Sequence, residues 1–162
     1  MIQLCFLLAN EPVSTGDYIF CYFIGSSREH REFVGKLKAK TNCKIVSLNH
    51  IDHYMKSDEG YADESPYDIS PGQFLNLIRN AKYVCTDSFH CTVFSLLYNK
   101  VFFDFKRYTS MTKQSTNSRL DTLLGVVGLQ NRMFKGDENI DDLLELKIDF
   151  DIVNKKLEDY RN

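Results

Sequence analysis

Hydrophobic residues fall along this chain in short blocks that change period, and the alternation of those blocks predicts its elements. Tyr18 to Ile24 (YIFCYFI) is an unbroken aromatic and β-branched run stopped by Gly25 and Ser26, the pattern of a buried strand. Glu29 to Lys40 follows with Phe33, Val34 and Leu37 on one face and charges elsewhere, the pattern of an exposed helix. Lys44 to Leu48 predicts a second strand. Asn49 to Ile69 has no period and is rich in Asp, Glu, Ser and Tyr, which predicts a long, partly ordered loop.

Ser70-Pro71-Gly72-Gln73 is a helix start, with Ser as N-cap, Pro at the first helical position and Gln closing a capping box. Phe74, Leu77, Ile78 and Ala81 then recur at helical spacing. Lys82 to Thr86 predicts a strand, Asp87-Ser88 a tight turn, and Phe89 to Tyr98 a helix apolar nearly all round and therefore buried. Val101 to Phe105 predicts another strand and Lys106 to Thr116 a basic, polar loop. Asn117 or Ser118 then caps a helix with Leu120, Leu123, Leu124 and Val127 on one face, stopped by Gly128. Ile140 to Leu146 and Asp151 to Tyr160 predict terminal helices. Strands alternating with helices over short connections imply an α/β fold: a Rossmann-like, mostly parallel sheet with helices on both faces. No internal repeat or linker divides the 162 residues, so they are read as a single domain, 1–162.

Composition narrows the picture. A chain of this length buries roughly 70% of its unfolded surface, enough for a core without disulfides or metal. With 43% apolar and 26% charged residues, collagen-like, coiled-coil and disordered classes are excluded. The net charge of −2 gives no general reason to expect nucleic acid. Five cysteines, without a C-x-x-C pair, point to reduced buried thiols in a cytoplasmic protein. MIQLCFLLAN lacks the basic start of a secretory signal, and the uncharged window Ser88 to Asn99 is far below a membrane span. Charge is uneven: Lys100 to Gly136 holds seven bases against two acids, and Asp137 to Asn162 nine acids against four bases.

Ligands of open parallel sheets bind where strand ends lead into helix N-termini, and two such places carry chemistry. After strand 82–86, His90 falls in the first turn of the next helix, where free N–H groups and the helix dipole favour an anion. There it is either a proton-exchanging catalytic group beside an anionic substrate or an ordinary half-buried histidine. After strand 101–105 come Lys106, Arg107 and Lys113, then Ser118-Arg119 at the head of the following helix. Arginine offers a fork of donors suited to carboxylate or phosphate; the other reading is a solvated basic loop. His50-x-x-His53 lacks a third ligand at metal spacing, and no metal is expected. No dinucleotide, P-loop or nucleophile-elbow motif is present. Cys91 is read as a small buried residue rather than a nucleophile.

The run Ser70-Pro71…Phe74-Leu75…Leu77-Ile78…Asn80-Ala81-Lys82-Tyr83-Val84-Cys85-Thr86-Asp87-Ser88-Phe89-His90…Phe94-Ser95 strongly resembles the polysaccharide pyruvyl transferase family. Ser118-Arg119-Leu120…Leu123-Leu124…Gly128-Leu129…Arg132 is similar to that family's later helix and turn, so the likeness spans about 18–134, with 137–162 as C-terminal helices. The resemblance implies the C-terminal, donor-binding half of an enzyme with two Rossmann-like halves, as in GT-B glycosyltransferases. It further implies transfer of pyruvate from phosphoenolpyruvate to sugar hydroxyls as a ketal, in surface polysaccharide synthesis. His90 matches the family's essential histidine and Arg119 its donor-anion arginine; Ser88, Lys106, Arg107 and Ser118 complete the expected substrate-binding set. Phosphoenolpyruvate is then donor substrate rather than cofactor, and the acceptor a sugar or lipid-linked oligosaccharide. Cys91 stands where the motif usually has Gly. An N-terminal half is expected to be missing, leaving the isolated chain incomplete. The alternatives are a GT-B half that binds a nucleotide-sugar and a non-catalytic binding domain of the same fold.

Overall fold

A computed structural model describes residues 10, 13–107 and 114–162. Four strands, β1 (Tyr18–Tyr22), β2 (Lys44–Ser47), β3 (Tyr83–Thr86) and β4 (Val101–Asp104), form one all-parallel sheet in the order β2-β1-β3-β4. Between them run α1 (Arg28–Thr41), α2 (Pro71–Asn80) and α3 (Phe89–Leu97); α4 (Gln114–Val127), α5 (Ile140–Glu145) and α6 (Phe150–Arg161) follow. Strand alternation divides the core. Tyr18, Phe20, Val84 and Phe102 face one side, where Leu77, Ile78, Leu96, Leu120 and Val153 cover them from α2, α3, α4 and α6. Ile19, Cys21, Cys85 and Phe103 face the other, beneath Phe33, Val34 and Leu37 of α1 and Leu143 of α5. The expected Rossmann-like sandwich is present, because strands buried on both faces need helices on both.

Strand ends differ from expectation by one or two residues for a physical reason. The expected strand to Ile24 stops pairing at Tyr22, because the N–H groups of Ile24 and Gly25 turn to the Asp87 carboxylate instead of a neighbouring strand. Leu48 and Phe105 still donate to the sheet, to Cys21 O at 3.1 Å and Thr86 O at 3.0 Å, just beyond the strands. The 49–69 loop holds one helical turn, Lys56–Asp58, and a bridge from Glu64 to Val46.

Two helices correct the sequence reading. α4 begins at Gln114, so neither Asn117 nor Ser118 caps it, and Arg119 lies in its second turn rather than its first. The apolar stripe that starts at Leu120 marks where the helix packs, not where it begins. α3 buries Cys91, Thr92, Ser95 and Leu96 while Phe89, Val93, Phe94 and Leu97 are half-buried. Its small residues face in because their hydroxyls bond within the structure: Ser95 Oγ donates to Cys91 O at 2.8 Å.

Candidate functional site

The chain leaves β1 toward β2 and leaves β2 toward β3 on the opposite side, so the switch in strand order lies between the carboxyl ends of β1 and β3. The Ser70 capping box fixes the start of α2, which feeds β3. Thr86 then donates its hydroxyl to Tyr22 O at 2.6 Å and accepts the Ser88 N–H at 3.0 Å. These bonds aim the Asp87 carboxylate, fully buried, across the switch point, where it accepts from Ile24 N and Gly25 N at 2.8 Å each. Arg107 lies over it, donating to Asp87 O at 3.1 Å with Nε 3.8 Å from the carboxylate. A Cβ on Gly25 would sit 2.9 Å from Asp87 Oδ2 and 3.1 Å from Arg107 Cγ, so the close approach requires glycine.

Ser88 caps α3, its Oγ accepting from Cys91 N at 3.5 Å, and is itself buried. Phe89 is half-buried and His90 exposed, the two rings edge to face with centroids 5.8 Å apart. Arg119 from α4 holds its guanidinium 5.4 Å from the Phe89 centroid. Phe89, Ser118, Arg119, Thr122 and Tyr160 are among the residues that line a cavity of about 250 Å³. The structure therefore places Ser118 and Arg119 in one cavity wall with Phe89, the residue before His90; His90 is not among the residues that line it. The same fold gives Arg107 to the Asp87 turn and brings Lys106 Nζ within 3.7 Å of Asp121 on α4. Lys113 lies outside the described residues.

Beneath this edge sits a carboxyl group that sequence reasoning missed. Asp104 is fully buried, and Thr92 Oγ1 lies 2.7 Å from its Oδ1 and 3.0 Å from Ser88 O. One hydroxyl proton serves only one of those acceptors. The set is complete when Asp104 is protonated and donates to Thr92, which donates to Ser88 O. Burial pushes the Asp104 carboxyl well above its ordinary range; the Thr92 hydrogen bond works against this and the Asp87 charge adds to it. The signal was an acid inside the apolar run VFFDF. Cys91 is fully buried and its thiol is pushed up by burial, as expected of a packing residue.

A second missed group lies at the end of β1. Asp58 accepts from Arg31 Nη2 and the His50 backbone N–H at 2.7 and 3.0 Å, and pairs with His50 Nδ1 at 2.7 Å. His50 Nε2 faces Ile24 O at 2.9 Å, so the ring satisfies both acceptors only as imidazolium. Burial works against that charge, but the Asp58 and Ile24 hydrogen bonds outweigh it and the imidazole is raised. His53 pairs instead with Asp52. Among the described residues, no group of three or more His, Cys, Asp or Glu is placed to hold a metal, and no helix is long and apolar enough to cross a membrane.

The family model for polysaccharide pyruvyl transferase matches residues 8–105. The matched stretch includes β1 to β4 and His90; Arg119 and α4 lie beyond it. This is the family expected from the sequence, and the match occupies the N-terminal part of this chain. No curated protein and no solved structure matches the chain.

Proposed function

The chain belongs to the polysaccharide pyruvyl transferase family, and from that premise we propose that it is a donor-binding domain for pyruvyl transfer from phosphoenolpyruvate to sugar hydroxyls. The observation that carries this reading is the exposed His90 imidazole in the first turn of α3, with the Arg119 guanidinium held beside the same Phe89 ring. The first N–H groups of α3 and the Arg119 charge suit the phosphate and carboxylate of the donor. His90, as imidazolium, protonates the methylene carbon of the enol, leaving an oxocarbenium-like centre at the phosphate-bearing carbon. One acceptor hydroxyl attacks that carbon and its proton returns to the imidazole. A second hydroxyl attacks as the carbon–oxygen bond to phosphate breaks, and its proton leaves with the phosphate. The products are a cyclic ketal and inorganic phosphate, with no net proton gained or lost. The setting we propose is the cytoplasm, where Cys21, Cys43, Cys85 and Cys91, all free and buried, stay reduced.

Calorimetric titration of the chain with phosphoenolpyruvate, a nucleoside diphosphate and inorganic phosphate, each alone, tests the reading. Salt-sensitive binding that favours phosphoenolpyruvate is expected. Preference for the diphosphate would favour a nucleotide-sugar domain, and no binding to any of the three a non-catalytic one.

A further inference from the structure

The last residue of β4, Asp104, lies beneath the first turn of α3, in register with Thr86 of β3. Its backbone carbonyl accepts the Phe134 N–H at 2.8 Å, which fixes the strand end. Its side chain reaches α3 through Thr92, whose Oγ1 stands 2.7 Å from Asp104 Oδ1 and 3.0 Å from Ser88 O. Ser88 O also accepts the Thr92 backbone N–H at 3.0 Å, and Ser88 Oγ accepts from Cys91 N. Ser88 therefore fixes the start of the turn, and Phe89 and His90 follow it directly. Asp104, Thr92 and Ser88 are all buried, and Asp104 Oδ2 has no hydrogen-bond partner.

The proton count ties the two ends of this relay together. With Asp104 neutral, its O–H donates to Thr92 and the Thr92 hydroxyl donates to Ser88 O, so each proton has one acceptor. With Asp104 ionised, the carboxylate claims the single Thr92 hydroxyl proton and Ser88 O loses that bond. A negative charge then stands beneath the free N–H groups of α3, which otherwise favour an anion. The surrounding groups leave that charge uncompensated. Asp87, at the turn after β3, is itself a carboxylate, held by Ile24 N, Gly25 N and the nearby Arg107. Burial keeps the Cys85 thiol of β3 and the Cys91 thiol of α3 protonated. His30 of α1, packed on Phe105, is kept neutral by burial, and Arg132 lies over Phe103 and donates to Leu146 O. Among the described residues no cation pairs with Asp104.

We propose that Asp104 is a proton-linked positioning residue for the His90 turn: neutral, it lets Thr92 hold Ser88 and leaves the turn open to an anion, and ionised, it takes the Thr92 hydroxyl and opposes that anion. That the anion is phosphoenolpyruvate rests on the pyruvyl-transfer reading; the coupling of Asp104 to the turn does not. Linkage is reciprocal, so an anion bound at the turn also strengthens the hold of Asp104 on its proton.

The test follows the Asp104 carboxyl carbon and the amides of 88–92 by NMR in the full chain, between about pH 5 and 9, the range in which buried acids titrate. Carbon and amides are expected to share one midpoint in wild type, and the amides to lose it in Asp104→Asn, which keeps a donor to Thr92. Saturating phosphoenolpyruvate should move the wild-type midpoint upward. Its affinity for Asp104→Asn relative to wild type should grow about tenfold from the acid to the alkaline end, a coupling of ordinary size. Any other titrating group is common to both proteins, so this ratio isolates Asp104. An Asp104 carboxyl already ionised at the acid end, or still protonated at the alkaline end, overturns the proposal. So do amides that ignore its titration, or an affinity ratio that stays constant. Amides that follow Asp104 while phosphoenolpyruvate binds nowhere sink the donor reading and leave the positioning of the turn standing.

Discussion

Asp87 reaches from the end of β3 to Gly25 beyond the end of β1, and its Oδ2 takes the Gly25 N–H at 2.8 Å. The carboxylate thereby occupies the gap between β1 and β3, where an open parallel sheet otherwise receives a ligand. In the proposed function the donor therefore sits further out, on the first turn of α3. Asp87→Ala leaves two backbone N–H groups without their acceptor and removes the carboxylate facing Arg107 Nε at 3.8 Å, and should cost roughly 2–4 kcal/mol. Gly25→Ala should also destabilise, by driving a methyl group into Asp87 and Arg107. Urea unfolding of both variants checks this; wild-type stability in either would mean the bridge is dispensable.

His30 is buried between Phe23 and Phe105, and burial, helped by the neighbouring Arg31 charge, lowers its imidazole from 6.5 to about 4. The unfolded chain then binds a proton below pH 6.5 that the folded chain refuses. Stability should fall by roughly 3 kcal/mol as pH drops from 6.5 to about 4. His30→Leu should remove that share of the acid limb. Unfolding free energies measured across this range decide it, and an unchanged slope in His30→Leu would place the cause elsewhere.

His50 has the opposite sign. Its folded imidazole is raised, so its contribution is complete below 6.5 and is lost as pH rises through the folded value. Asp58 is lowered: burial opposes the shift, but hydrogen bonds from His50 and Arg31 outweigh it. Its contribution is complete above 3.8 and is lost as pH falls through the folded value. The 49–58 segment should be fastened best between about 3.8 and 6.5. Hydrogen exchange of its amides, corrected for intrinsic rates, should show weakening protection above that window in wild type. His50→Gln should lack the dependence.

Asp104 gives a sharper test because the expected sign is a gain. A folded carboxyl raised above 3.8 weakens the protein from there up to its folded value, since only the unfolded chain ionises freely. Asp104→Asn preserves a donor to Thr92 and removes that penalty. It should stabilise the chain at pH 7 and do so less at pH 4. Thermal unfolding at the two pH values reads the difference; destabilisation at pH 7 would mean the carboxylate is ionised in the folded chain.

Much of the fold was legible because its signals are local. The Ser70–Gln73 capping box needs only four consecutive residues, and strand alternation announces both faces of the sheet. His90 at the start of α3 was legible for the same reason. The Asp87–Gly25 bridge spans 62 positions and no local pattern marks it. The His50–Asp58–Arg31 group joins a loop to α1, and an aperiodic stretch gives no register from which to foresee it. The start of α4 was misplaced because polar residues extend a helix without advertising it. Arg107 and Ser88 were read as ligand contacts, yet the turn itself uses them.

Arg119 should matter most for donor affinity. Its guanidinium is exposed beside Phe89, and Arg119→Ala should cost about 1.5–3 kcal/mol of phosphoenolpyruvate binding, the range for a charge-assisted hydrogen bond. His90→Ala should reduce binding less. Calorimetry on the three proteins at low and moderate salt checks the order, and equal, salt-insensitive affinities would move the anion site elsewhere.

The central claim is that His90 and Arg119 share one bound donor. Side-chain chemical shifts of the His90 ring and the Arg119 guanidinium, followed while phosphoenolpyruvate is added to the wild-type chain, test it most directly. Both sets of resonances should move together along one saturating curve, and lose that response in Arg119→Ala. Saturable binding of phosphoenolpyruvate with the His90 ring and Arg119 unmoved would contradict the account.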